Sequence, residues 1–136
     1  MEELEKLKSW LREFPLWDGA ELCIDSTDAQ PAGCGLFPLG LEQLSVQEDL
    51  LGNRTIRFRQ QFLLRRVAVR NEAAAAWLLE FQKWVCRQSR AGLCPRFGEE
   101  QHLRAEKGRL LRADQTGTAT YELTLSADYT IHDEGE

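Results

Sequence analysis

The stretch TATYELTLSADYTI, residues 118–131, decides the fold class. Ala119, Tyr121, Leu123, Leu125, Ala127, Tyr129 and Ile131 alternate strictly with Thr118, Thr120, Glu122, Thr124, Ser126, Asp128 and Thr130. Successive side chains of a strand point to opposite faces, so this period of two predicts one long strand with a buried face and a wet face. At about 14 residues it is well beyond the usual five or six. The terminal HDEGE, residues 132–136, is expected to fray.

A second strand of similar length lies upstream. Ile56, Phe58, Phe62 and Leu64 share one face, interrupted by Gln60, while Thr55, Arg57, Arg59, Gln61 and Arg65 share the other. Leu44, Val46 and Leu50, out of phase with Gln43, Ser45, Gln47 and Asp49, supply the strand before it, so a hairpin is expected. A two-residue Gly52-Asn53 loop would set Asp49 opposite Ile56 and Gln47 opposite Phe58, mixing the faces. A three-residue loop, Gly52 to Arg54, keeps them apart: Leu50 faces Ile56, Leu44 faces Phe62, and Asp49 lies beside Arg57.

Between these strands runs a helix. Asn71 is the expected N-cap, the helix spans Glu72 to Arg90, and Gly92 follows its end. Ala74, Trp77, Leu78, Phe81, Trp84, Val85 and Gln88 form its buried stripe, facing the sheet. At the N-terminus, Leu4, Leu7, Leu11 and Phe14 predict a helix over residues 2–14, ended by Pro15. The broken region Leu16 to Gly40 suits two short strands at Ala20–Ile24 and Gly35–Phe37, and Glu99 to Ala113 has no clear period. Helices and strands are grouped rather than alternating. The expected fold is therefore α+β, one domain over 1–136, with an antiparallel or mixed sheet of about five or six strands packed by one long helix and an N-terminal helix.

Composition narrows the function classes. With 136 residues, 43% hydrophobic and 29% charged, the chain is long enough to fold around its own core. A net charge of -5 disfavours a main role in holding a nucleic-acid backbone. No apolar run approaches the roughly 18 residues of a membrane span, and MEELEKLKSW is acidic where a secretory signal would be basic then apolar. The expectation is a protein that is not secreted, so Asn53-Arg54-Thr55 reads as a turn rather than a glycosylation site. Cys23, Cys34, Cys86 and Cys94 could pair in three ways but lack CxxC spacing, and are expected as buried free thiols.

Catalytic and cofactor chemistry finds little to stand on. His102 and His132 are the only histidines, and a thiol enzyme would need Cys94 with His102, residues with no sign of preparation. Asp25 and Asp28 fit Asx turns better than a cation loop, and GCGLFPLG lacks phosphate-binding spacing. No catalytic, metal or cofactor residue is expected. Arg54, Arg57, Arg59, Arg65, Arg66 and Arg70 make the densest basic feature, readable as a nucleic-acid face or as a face of salt bridges. Overlong strands, finally, extend past what one helix covers and suggest contact with neighbours.

Several of these features occur together in a known pattern. SWLREFPLWDG, DLLGNRTIRFRQQFLLRRVA, WLLEFQKWV, LCPRFGEE, RAEKG and GTATYELTLSADY, taken in order, resemble a family of small proteins encoded by phages and prophages of Gram-positive bacteria, labelled minor capsid proteins. The resemblance covers nearly the whole chain. It implies a tail-terminator-like or tail-completion-like fold, a sheet flanked by helices, in a protein that forms a ring, commonly hexameric. The implied partners are copies of itself, the phage tail tube and head-connector proteins, in the virion or the host cytoplasm. Contacts are then expected from the long hairpin around Gly52 to Arg59, the FPLW and GLFPLG loops and the C-terminus, with Trp17, Phe37, Leu51, Asn53, Arg57, Arg59 and Arg65 as interaction residues. The alternatives are a nucleic-acid-associated phage protein and a small thiol enzyme.

Overall fold

Residues 2–17, 22–24, 33–69, 72–113 and 117–134 are described in the structure, a computed structural model. The elements are α1 (Glu2–Leu11), β1 (Leu22–Ile24), β2 (Cys34–Glu48), β3 (Arg54–Val69), α2 (Glu72–Ala91), β4 (Glu99–Ala113) and β5 (Thr118–Asp133). Five strands form one mixed sheet in the order β1-β2-β3-β5-β4. β1 runs parallel to β2, and the other neighbours are antiparallel. The chain is α+β, as the grouping of its helix and strand segments requires.

β3 and β5 form the spine, pairing without a register shift from Arg54↔Asp133 to Val69↔Thr118. On their helix-side face Phe62 meets Leu125, Leu64 meets Leu123 and Phe58 meets Tyr129. Ala119, Tyr121, Leu123, Leu125, Ala127 and Tyr129 are buried, as the alternation predicts. The opposite face is not simply wet: Glu122, Ser126 and Thr130 are buried too. β5 is a central strand, and long side chains from both neighbours close over it. The terminus also departs from expectation. His132 and Asp133 belong to β5, paired with Thr55 and Arg54, and Arg54 binds Asp133 at 2.6 Å.

The aromatic stripe of α2 is the centre of the core. Phe81 is fully buried, stacked on Trp77 at 5.3 Å and edge-on to Phe14 at 5.2 Å, with Trp84 at 5.9 Å. Trp10 of α1 stacks on Trp84 at 4.8 Å and donates its indole N–H to Gln88, the polar residue of the stripe, which is half-buried rather than buried. α1 ends at Leu11, earlier than the apolar spacing suggests, and single turns carry the chain on: the N–H of Phe14 bonds Leu11 O and that of Trp17 bonds Phe14 O. α2 ends where Gly92 takes a φ of +71° and the Leu93 N–H turns back to Gln88 O, a glycine stop of the left-handed kind. Asn71 lies outside the described residues.

The hairpin register differs from the expected one. Val46 faces Ile56, Gln47 faces Thr55 and Glu48 faces Arg54, so the loop is Asp49 to Asn53 and Leu50 is in it. Neither Leu50 opposite Ile56 nor Asp49 beside Arg57 is formed. Asp49 decides the outcome. Its Oδ1 accepts the N–H groups of Leu51 and Asn53, its Oδ2 accepts the Asn53 side-chain amide, and its own N–H bonds Asn53 O. An aspartate that satisfies three donors within the turn outweighs the matching of exposed side chains on a strand that buries little. Upstream, β2 continues through Pro38 and Gly40 where short separate strands were expected. Irregularities between Pro38 and Gly40 and between Gln43 and Ser45 absorb the misfits, and Gly40 takes a φ of +118° open to glycine.

Candidate interaction surface

Two surfaces stand apart from the core, and only one of them is unanswered. The first is the outer face of β3, β5 and β4, where the arginine cluster lies. Asp128 accepts hydrogen bonds from Nε and Nη2 of Arg59, at 2.9 and 3.2 Å, and from Nη1 of Arg104 at 3.2 Å. Glu122 is held between Arg65 at 3.2 Å and Arg109 at 2.6 Å. Gln61 donates to Ser126, whose hydroxyl reaches Glu106, and Arg57 bonds Thr130 Oγ1 and Glu100 O. Acceptors on the central strand are thus clasped from both sides. Arg66 points to the other face, over the Trp77 ring at 4.4 Å, and Arg70 lies outside the described residues.

This ladder has a pH signature. Arg59 holds the Asp128 carboxyl below the usual carboxylate range against the opposing effect of burial, and Arg104 adds to it. Burial alone would raise Glu122, yet hydrogen bonds from Arg109 and Arg65 bring it lower. For depressed carboxylates the stabilisation is fully present above the unfolded value of about 4 and is lost as the pH falls through the lower folded-state value. Thermal melts stepped downward from about pH 5 should therefore show an acid limb that Asp128→Asn makes shallower. An unchanged limb would mean the ladder contributes no linkage.

The second surface is the hairpin of β2 and β3. From Pro38 to Glu48 every residue of β2 is exposed, and no described residue pairs with the far edge of β2 beyond Leu36. Leu39, Leu41, Leu44 and Val46 are exposed along it, and at the tip Leu50 and Leu51 are 105% and 81% exposed. The other edge of the sheet is treated differently. α2 lies along β4, Ser89 Oγ accepting the Leu103 N–H at 3.0 Å and Gln82 donating to Ala105 O at 3.2 Å. Natural sheets cover or blunt their edges, and among the described residues α2 covers β4 while nothing covers the leucine-rich edge of β2 beyond Leu36.

The expected interaction residues divide accordingly. Leu51 is at the exposed tip and Asn53 is in the Asp49 turn. Arg57, Arg59 and Arg65 are committed to the ladder, and Phe37 is half-buried with the Arg65 guanidinium 5.0 Å over its ring. Trp17 is 2% exposed and belongs to the core with Phe14, so of the FPLW segment Pro15 and Leu16 are presented outward. Leu39 falls in the GLFPLG segment expected to make contacts, whereas Leu41, Leu44, Val46 and Leu50 were missed as surface residues. Their signal was an apolar run with no helical stripe to cover it, obscured by Pro38 and Gly40.

The thiols offer the reverse of activation. Cys23, Cys34, Cys86 and Cys94 are free, as expected, but Cys86 is exposed and Cys23 and Cys94 only half-buried. Burial pushes the Cys94 thiol up to about 11, away from the thiolate a nucleophile requires, and His102 is exposed on β4. Cys34 is likewise pushed up to about 11 by burial, against the lowering effect of Arg66. Asp25 and Asp28 lie outside the described residues, and among those described no cluster of His, Cys, Asp and Glu could hold a metal ion. Among the described residues no helix is long and apolar enough to cross a membrane. Neither a scan against protein-family models nor a search of curated proteins finds a match to this chain.

Proposed function

We propose that this chain is a structural subunit of a phage or prophage virion, a tail terminator or completion protein that assembles as a ring at the junction of head and tail. The observation that carries the reading is the far edge of β2: ten or so exposed residues that no described residue pairs on that side, with leucines along them and two more at the tip. Such a surface stabilises nothing in the isolated chain, and its value lies in contact. The segments of sequence that resemble phage minor capsid proteins supply the setting, and the hairpin is the element that reaches neighbours: copies of the chain, the tail tube and the connector. The protein acts without catalysis, in the virion and, before assembly, in the host cytoplasm.

A nucleic-acid role is less well supported. The arginines that would meet phosphates already face Asp128, Glu122 and Asp133, so a phosphate would have to displace carboxylates held at 2.6 to 3.2 Å. Electron microscopy of particles made without the protein tests the proposal: tails of uncontrolled length or tails detached from heads are expected. Normal tails joined to heads would overturn it. Sedimentation of the purified chain across concentrations should show a closed oligomer, for which six subunits is the expected number, rather than an open series.

A further inference from the structure

We infer that the far half of β4, residues 107–113, is a hinged flap latched by Arg109 on Glu122, and that it opens about Lys107 and Gly108 to uncover the edge of β5 over residues 119–122. This goes beyond the assembly reading and does not depend on it. The starting point is an asymmetry within one strand. The near half of β4 is fastened to the body of the protein: Leu103 is 1% exposed, its N–H bonds Ser89 Oγ at 3.0 Å, and Gln82 donates to Ala105 O at 3.2 Å. In the far half residues 107–111 are all exposed, Leu110 and Leu111 among them, and no hydrogen bond among the described residues joins these five to α2. A segment with so few buried contacts belongs to the low-stability end of a fold.

The backbone supplies the hinge. Pairing with β5 shifts between Glu106 and Arg109 and again between Leu110 and Arg112, and at the first shift Lys107 takes a φ of +57°, a left-handed conformation that costs a lysine and not a glycine. Arg109 supplies the latch. Its Nε and Nη2 donate to Glu122 Oε1 at 3.0 and 2.6 Å, and its side chain is 66% exposed where that of Glu122 is 7% exposed. The other carboxylate oxygen accepts Arg65 Nε from β3 at 3.2 Å. When Arg109 swings away, the buried carboxylate therefore keeps one cation, and opening leaves no lone buried charge. What the flap uncovers is backbone: the groups of β5 that pair with Arg109, Leu110, Arg112 and Ala113 become a free strand edge, concealed while the flap is closed.

The test is amide hydrogen exchange of the full chain, read residue by residue by NMR at one fixed pH and over a series of low urea concentrations. The amides that pair the flap with β5 should exchange at least about tenfold faster than those of residues 103–105. Their rates should depend little on urea, because a flap exposes little surface on opening, whereas the near half should follow the global urea dependence. Two variants then separate the latch from its buried support. Arg109→Met, at an exposed position, should speed exchange in the flap by about two- to fivefold, the range for a partly exposed ion pair. Arg65→Met removes a bond kept in both the closed and the open flap, so flap exchange should be no faster, although overall stability falls. If the flap shares the protection and urea dependence of residues 103–105, β4 opens only as one piece and the hinge is overturned. If Arg109→Met leaves flap exchange unchanged, or Arg65→Met speeds it equally, the latch is overturned.

Discussion

Replacing Phe81 by alanine is expected to destabilise the fold by about 3–5 kcal/mol, the upper range for emptying a buried aromatic site. Phe81 is fully buried, and its ring touches Phe14, Trp17, Trp77 and Trp84, four aromatics from α2, from the segment after α1 and from the chain leading to β1. Those neighbours are held elsewhere: Trp77 donates to Leu16 O at 2.8 Å, and Trp10, stacked on Trp84, donates to Gln88. They cannot all collapse into the vacated space, so most of the cavity term remains. The measurement is the urea midpoint with its slope. Because Phe81→Ala could leave too little folded protein, Phe81→Leu serves as the graded companion, with a loss under about 1.5 kcal/mol expected where volume is nearly kept. If Phe81→Ala lost under about 1 kcal/mol, the helices and sheet would not share one core.

The second large effect is expected at Gly98, from too much volume rather than too little. An added Cβ would lie 2.6 Å from Tyr129 Cδ2 and 2.7 Å from Thr130 O, and the latter is backbone of the central strand. The ring can turn; the strand carbonyl cannot move without straining its ladder. Gly98→Ala should therefore cost about 1–3 kcal/mol and loosen the segment that stacks Phe97 on Tyr129 at 5.8 Å. Gly108→Ala is the control. Its Cβ would meet the amide of Gln82, the end of a flexible side chain, with Oε1 nearest at 3.2 Å. Similar melting temperatures for the two variants would mean that the turn before β4 is not clamped on the sheet.

Much of this architecture is legible in residue patterns, and the failures share a cause. The stripe on α2 and the alternation on β5 predicted the buried faces except at Gln88 and Ile131, which are half-buried, because burial of many large side chains leaves one solution for each. β4 was not legible. Its pairing shifts at three places, and Glu100 and Lys107 take positive φ, so its side chains keep no period of two. The polar partners of the ladder were half-legible: the arginines were visible on one face of β3, but their carboxylates stand on β5, over fifty residues away for each pair.

The long strand at residues 118–131 shows most clearly what belonged to the sequence and what to the tertiary fold. Alternation by itself settled that this stretch is a strand and which side chains face the helices, since the period is a property of the backbone and holds in any surroundings. That Glu122, Ser126 and Thr130 of its polar face are also buried came only from its place in the sheet, between β3 and β4, whose arginines reach over Glu122 and Asp128. The hairpin reversed the lesson. Leu50 and Val46 have the same pattern in the sequence, yet register depended on a turn closed by Asp49, and exposure on no described residue packing over β2 there. Patterns of hydrophobicity fix faces where burial is at stake; local hydrogen bonds and the reach of distant elements decide the rest.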